Sequence, residues 1–290
     1  MTTIQWFPGH MAKARRQIEE KLHQVDLVIE LLDARLPLSS RNPMIDQLVK
    51  RKQRIIVLTK SDLADDQVTQ DWKHYFANQS IQALAVDAQS GKGVKQILSI
   101  SEKLMAPVFQ ARHRKGIVSQ KIRAMVLGIP NVGKSSLINR LARRHVAKTG
   151  DRPGVTKGQQ WIRISSKLEI LDTPGILWPK FEDQQVGLRL AASGAIKEEI
   201  LPIEEVALFA LDYLMRHYPK LLTKRYAIKV SEQTPLAYLD AIGQKHGALG
   251  KGGQIDWEKA SERLLNDLRS GRLGRISLER PEDVKEAFHA

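Results

Sequence analysis

The stretch Leu127-Gly128-Ile129-Pro130-Asn131-Val132-Gly133-Lys134-Ser135-Ser136-Leu137-Ile138-Asn139 decides the fold. It follows the apolar run Ile122, Ala124, Met125, Val126 and carries Gly128, Gly133, Lys134 and Ser135 at phosphate-loop spacing. Such a loop wraps phosphates with inward-pointing N–H groups, here those of Asn131, Val132, Gly133, Lys134, Ser135 and Ser136, and side chains at Gly128 or Gly133 would obstruct that curvature. Lys134 then supplies a point charge to the outer phosphates and Ser135 a hydroxyl to a magnesium ion. The helix starting there aims the positive end of its dipole at the anion.

Working backwards, strands and helices alternate. A basic helix over residues 10–24 precedes the apolar run Leu27–Leu32, which ends in Asp33-Ala34-Arg35. A helix over 42–52, a strand over 54–58, a helix over 68–76, a strand over 81–86 and a helix over 94–105 follow, and Pro107 is expected to close that unit. Residues 110–121 then read as a basic linker to the phosphate-loop strand. Working forwards, two strands are expected near 161–164 and 168–171, and from about residue 181 the pattern is helical only. Alternation of this kind predicts a mostly parallel α/β sheet with helices on both faces, over 1–180, followed by an all-helical domain over 181–290.

The 290 residues are 42% apolar, enough for one large domain or two ordinary ones, each with its own core. With no cysteine, thiolate zinc sites and thiol catalysis are excluded. No apolar run reaches the length of a membrane span and the first residues lack the apolar core of a signal peptide, so a cytoplasmic protein with no membrane partner is expected. Lys and Arg exceed Asp and Glu by 15 in residues 1–180, whereas 181–290 carries 16 basic against 17 acidic residues. Within 111–150 stand ten basic residues and no acidic one. Lys134 is explained by nucleotide phosphates; the other nine suggest a polyanionic partner, with nucleic acid ahead of a membrane surface.

Two further phosphate-side elements follow the loop. Asp172 ends a buried strand, as an acid holding magnesium through water must, and the N–H of Gly175 in Asp172-Thr173-Pro174-Gly175 can reach a terminal phosphate. Thr156 lies in a Gly/Pro-rich loop, where its hydroxyl can complete the metal shell while that phosphate is present. The base-side elements come before the loop. Thr59-Lys60-Ser61-Asp62 resembles the guanine-recognition motif of GTPases, usually Asn-Lys-x-Asp, and Asp87-Ala88-Gln89 resembles the following base-side loop.

That permuted order, the opening Trp6-Phe7-Pro8-Gly9-His10-Met11, the loop Gly128–Ser136 and the run Pro153-Gly154-Val155-Thr156 together resemble the circularly permuted GTPases of the ribosome biogenesis GTPase A (YlqF) family. The resemblance implies a P-loop GTPase domain and a GTP-hydrolysing factor for late assembly of the bacterial large (50S) ribosomal subunit, released by hydrolysis. It implies GTP or GDP and magnesium as ligands, slow intrinsic turnover stimulated by the subunit, and contact with ribosomal RNA; a monomer is expected. Thr59 stands where Asn is usual, which shortens or removes one base-side hydrogen bond, worth about 1 kcal/mol. Asp87 stands where many GTPases have serine, so the guanine contact there would come from the Ala88 backbone.

Ile176 follows Gly175 where many GTPases have a glutamine that orients water. The family implies that another group substitutes, and His10 is the candidate, the alternative being an exposed helix-start residue. Lys134, Thr156 and Gly175 complete the expected catalytic set. Asn131 matches the position that accompanies potassium binding in related GTPases, the alternative being a loop-shaping side chain. Two rivals remain open on sequence: an ATP-using P-loop enzyme, against which Lys60 and Asp62 argue, and a non-catalytic RNA-binding adaptor with a structural nucleotide.

Overall fold

A strand buried on both faces has no reason to alternate polar and apolar residues, and β1 (Leu27–Asp33) is buried along its whole length. It lies at the middle of the sheet in a computed structural model that describes residues 9–49, 52–147, 160–178, 181, 183–196, 201–230 and 234–283, with the backbone alone for 9–14 and 251. The other strands are β2 (Gln53–Thr59), β3 (Gln82–Ala85), β4 (Ile122–Gly128), β5 (Gln160–Arg163) and β6 (Leu168–Asp172). Their order is β3-β2-β1-β4-β6-β5, parallel throughout except for the β5–β6 pair. From β1 the chain runs outward through β2 and β3, then returns to the other side of β1 as β4. The crevice at such a reversal, beyond the carboxyl ends of the strands, is where open α/β sheets take ligands.

Alternate residues of β1 serve opposite faces. Leu27, Ile29 and Leu31 join one core with Ile97 and Met105 of α4 (Val94–His113) and Leu137 and Ile138 of α5 (Lys134–Ala142). Val28 joins a second core with Ile18 of α1 (Gly9–Leu22) and Ile45 and Val49 of α2 (Pro43–Val49). Leu32 joins a third with Val68, Trp72 and Phe76 of α3 (Asp66–Asn78). Asp65 caps α3, accepting from the N–H groups of Gln67 at 2.9 Å and Val68 at 3.2 Å.

After β6 the described residues form helices α6 (Gln184–Ala192), α7 (Ile203–His217), α8 (Pro219–Tyr226), α9 (Pro235–Lys245) and α10 (Trp257–Arg269). Their apolar faces continue the first core, so the sheet and the helical part are packed without a polar break. Inside the bundle, buried Asp267 of α10 accepts from Arg225 at 2.8 Å and the Tyr226 hydroxyl at 3.1 Å, tying α8 to α10. No helix among the described residues is long and apolar enough to cross a membrane.

One sequence expectation is corrected. Pro107 does not end α4, which runs on to His113. Proline removes the hydrogen bond to the Lys103 carbonyl, but both residues lie on the exposed side, where water can take that carbonyl. Val108 and Phe109 then pack on the core, and Arg112 pairs with Asp26 at 2.5 Å. The linker is therefore shorter than 110–121, and Arg112 belongs to the helix.

Candidate functional site

Parallel register sets Asp33 opposite Thr59 and Leu31 opposite Gly128. The segments after β1, β2, β3, β4 and β6 therefore all emerge at one edge of the sheet. The phosphate-loop residues and the Thr59–Asp62 motif, separated by some seventy positions in sequence, meet there. The Thr59 hydroxyl lies 2.6 Å from the Val132 carbonyl and 3.0 Å from that of Leu32, so its single proton goes to the nearer, Val132, with Leu32 beside it. Thr59 thus ties the base-side motif to the phosphate loop. At Gly133, which has a φ of 102°, a side chain would come within 3.8 Å of the Thr59 Cβ.

Lys134 is buried at the start of α5, and its Nζ donates to the carbonyls of Ile129 at 3.1 Å and Gly128 at 3.4 Å. Burial lowers its pKa to about 8, against the opposing pull of Asp172. A phosphate beside Nζ would supply the negative charge that burial withholds, so protonation of Lys134 and anion binding reinforce each other. Gly175 approaches the loop closely: a Cβ there would lie 2.7 Å from Pro130 N and 3.0 Å from Lys134 Nζ. The Asp172–Gly175 turn consequently lies directly against the loop.

Asp172 is buried, and its Oδ1 has no hydrogen-bond partner among the described residues. Burial raises its pKa, opposed by Lys134. An orphaned hard oxygen beside a phosphate loop fits magnesium, which needs few protein ligands because phosphates and waters fill the rest of its octahedron. Asp172 and Ser135 are the described groups that could hold the ion, and it would neutralise charge between phosphates.

Ile176 points away from this chemistry. Its side chain is buried in the second core, its N–H donates to Gly128 O at 3.1 Å, and its carbonyl accepts from Asn42 Nδ2 at 3.0 Å. Thr156 lies outside the described residues, and the side chain of His10, on the first turn of α1, is likewise outside them.

On the base side, Lys60 has a φ of 54° and its Nζ pairs with Asp33 Oδ2 at 3.1 Å. Burial lowers the Lys60 pKa, with Asp33 opposing. Asp33 also takes two bonds from the Arg35 guanidinium, at 2.9 and 2.7 Å, and one from the Arg35 N–H at 3.1 Å; burial works against its charge, but Arg35 and Lys60 outweigh it and hold its pKa well below the usual carboxylate range. Sequence reading overlooked Asp33 and Arg35, although an acid at the carboxyl end of a buried parallel strand was the available signal. Asp62 is partly exposed, and burial raises its pKa. Asp87 spends its carboxylate on its own loop, accepting from Gln89 N at 2.7 Å and Ser90 N at 3.2 Å, which leaves the Ala88 backbone as the contact a base could use. Arg140 braces that loop from α5 by donating to Ser90 O at 2.5 Å.

Asn131 has a φ of 57°, and its Nδ2 lies 3.5 Å from the Gly194 carbonyl just beyond α6. The phosphate loop therefore touches the helical part directly.

This arrangement has close counterparts. A family model described as 50S ribosome-binding GTPase matches residues 123–239, leaving the Lys60–Asp62 loop upstream of the match. Ribosome biogenesis GTPase A of Bacillus cereus is 53% identical over 283 residues, covering 98% of this chain and 96% of that protein. The chain belongs to the ribosome biogenesis GTPase A family. The Priestia megaterium relative is also 53% identical, over 98% of this chain and 99% of its own length. Among solved structures, GNP-bound YlqF from T. maritima superposes with a TM-score of 0.65 at 28% identity, covering 93% of this chain and 99% of that one. Family membership makes the protein a guanine-nucleotide-binding, GTP-hydrolysing enzyme of ribosome biogenesis, with magnesium the usual companion of its nucleotide.

Proposed function

We propose that the protein is a GTP-driven factor for late assembly of the large ribosomal subunit, with hydrolysis timing its release. Residues 1–180 form a permuted GTPase domain, and 181–290 a helical domain that contacts RNA. The observation that carries the nucleotide part is the Thr59–Val132 bond, which joins a base-reading half to a phosphate-reading half at one sheet edge. Lys60, Asp62 and the Ala88 backbone hold guanine; residues 131–136, Lys134 and the Gly175 N–H hold the phosphates; Ser135, Thr156 and Asp172 hold magnesium. With Ile176 committed to the core, His10 orders the attacking water once the subunit is bound. Asn131 would offer its Oδ1 to a potassium ion, the amide oxygen being the atom able to ligate a cation, while its Nδ2 faces the Gly194 carbonyl.

The ribosomal part rests on the family description and on charge. Of the basic residues in 111–150, Arg112 pairs with Asp26, Lys121 with Glu169, Arg123 stacks 4.1 Å over Trp161, and Arg140 braces Ser90. Arg114, Lys115, Arg143 and Arg144 are exposed and have no protein partner among the described residues. Arg143 and Arg144, with Lys92 and Lys95, line a groove of about 1580 Å³ whose walls carry no acidic residue. Arg143 also ends α5 at a φ of 54°, a position that glycine fills without strain, so its side chain is kept at a backbone cost.

Binding to isolated large and small subunits, with a GTP analogue and with GDP, tests this reading. The large subunit should bind the analogue form more tightly. Changing Arg143 and Arg144 to Ala should flatten the log K against log salt slope by about one to two units without altering GTP affinity. Equal affinity for both subunits would overturn the assignment of partner; an unchanged slope would leave the RNA contact to the helical domain alone and remove Arg143 and Arg144 from it.

A further inference from the structure

The loop that bears Asp62 is held from two sides. On one side Ser61 N donates to Val86 O at 3.3 Å, which joins it to the neighbouring base-side loop. On the other lies the segment after α10, which comes from the far end of the chain. Arg275 Nε donates to the Asp62 carbonyl at 3.1 Å, and its guanidinium pairs with Asp66 on the first turn of α3. Ile276 N donates to Leu63 O at 2.9 Å.

The same segment is firmly anchored on both flanks. Upstream, Leu273 is buried, and a Cβ on Gly271 would meet Leu63 Cδ2 at 2.8 Å. Downstream, Leu278 N donates to Arg35 O at 2.6 Å, and the buried Glu279 carboxylate accepts from the Ser39 hydroxyl at 2.5 Å and from Leu38 N. The Trp72 indole donates to Glu279 O at 3.2 Å. Residues 275–279 therefore span the loops that follow β2 and β1, which carry Lys60 and Asp62 on one and Arg35 on the other.

We propose that Arg275, with the Ile276 N–H, is a positioning residue for base recognition: the helical part of the chain fixes the Asp62 loop from outside the pocket. This rests on the reading that Asp62 accepts hydrogen bonds from guanine. Arg275 holds the Asp62 backbone carbonyl, so it acts on where the carboxylate points. A carboxylate that accepts from both N1–H and the exocyclic amino group of guanine is sensitive to its direction. One that accepts only from N1–H, as with hypoxanthine, tolerates rotation far better. Linkage makes the effect reciprocal, and a bound guanine base strengthens docking of the 275–279 segment.

The test is the ratio of GDP to IDP affinity, measured by calorimetry on the full-length chain. Arg275→Ala should lower GDP affinity about tenfold and IDP affinity about twofold, so that the ratio falls about fivefold. Arg275→Lys, which keeps a donor for the Asp62 carbonyl, should restore most of the ratio. Arg272→Ala should leave it unchanged, because Arg272 pairs with Asp267 inside the helical part. Parallel losses for GDP and IDP, or an unchanged ratio in Arg275→Ala, would overturn the proposal by showing a purely structural contact. If the unaltered protein failed to prefer GDP to ADP, the guanine reading of Asp62 would fall instead.

Discussion

Replacing Lys134 by Ala is expected to lower GTP turnover by at least about a hundredfold, because on the proposed reading its ammonium would be the fixed positive charge beside the reacting phosphate. In the present structure Nζ rests on the carbonyls of Gly128 and Ile129, and those bonds are long enough to be exchanged for phosphate oxygens. The fold should survive. A buried ammonium with a pKa lowered to about 8 is held at a desolvation cost, so its removal should leave the melting temperature unchanged or raise it. Turnover and thermal melting on the same preparation separate the two effects. Undiminished turnover in Lys134→Ala would mean that the chemistry takes place elsewhere.

The second large effect is expected at Asp62. Asp62→Asn should weaken GDP about a hundredfold, since a charged acceptor facing two donors becomes an amide that can offer one acceptor only. Xanthine carries a carbonyl where guanine has its amino group, and the amide donor matches it. The variant should therefore prefer XDP to GDP, read by competition against a labelled nucleotide. Loss of both nucleotides alike would indicate that the loop had collapsed, and unchanged GDP affinity would remove Asp62 from the base site.

Much of this was legible in the chain itself. The mainly apolar runs at 27–32, 55–58 and 124–127 each became a buried parallel strand, because a strand covered on both faces leaves its pattern in composition. The phosphate loop was legible because glycine spacing there answers to backbone geometry. The place of Lys60 and Asp62 at the sheet edge was legible because they follow a buried strand. The Thr59 hydroxyl was not: its bond to Val132 depends on the packing of β2 beside β1 and the loop, and sequence reading assigned its loss of an amide to the base contact. Nor was the Asp33–Arg35–Lys60 group, whose charges make sense only when β1 and β2 lie side by side. Arg275 stands more than two hundred positions from Asp62, and no local pattern announces that contact. The run of basic residues at 111–150 read as one uniform stretch, yet packing commits Arg112, Lys121, Arg123 and Arg140 to partners and leaves Arg114, Lys115, Arg143 and Arg144 exposed.

The burial of Ile176 where a water-orienting glutamine is often found puts the weight of the account on one rate. GTP turnover should be measured with the protein alone, with large subunits and with small subunits, at matched salt and magnesium. The account predicts slow turnover alone, a rise of at least about tenfold with large subunits, and no rise with small ones. Equal rates in all three conditions would contradict it.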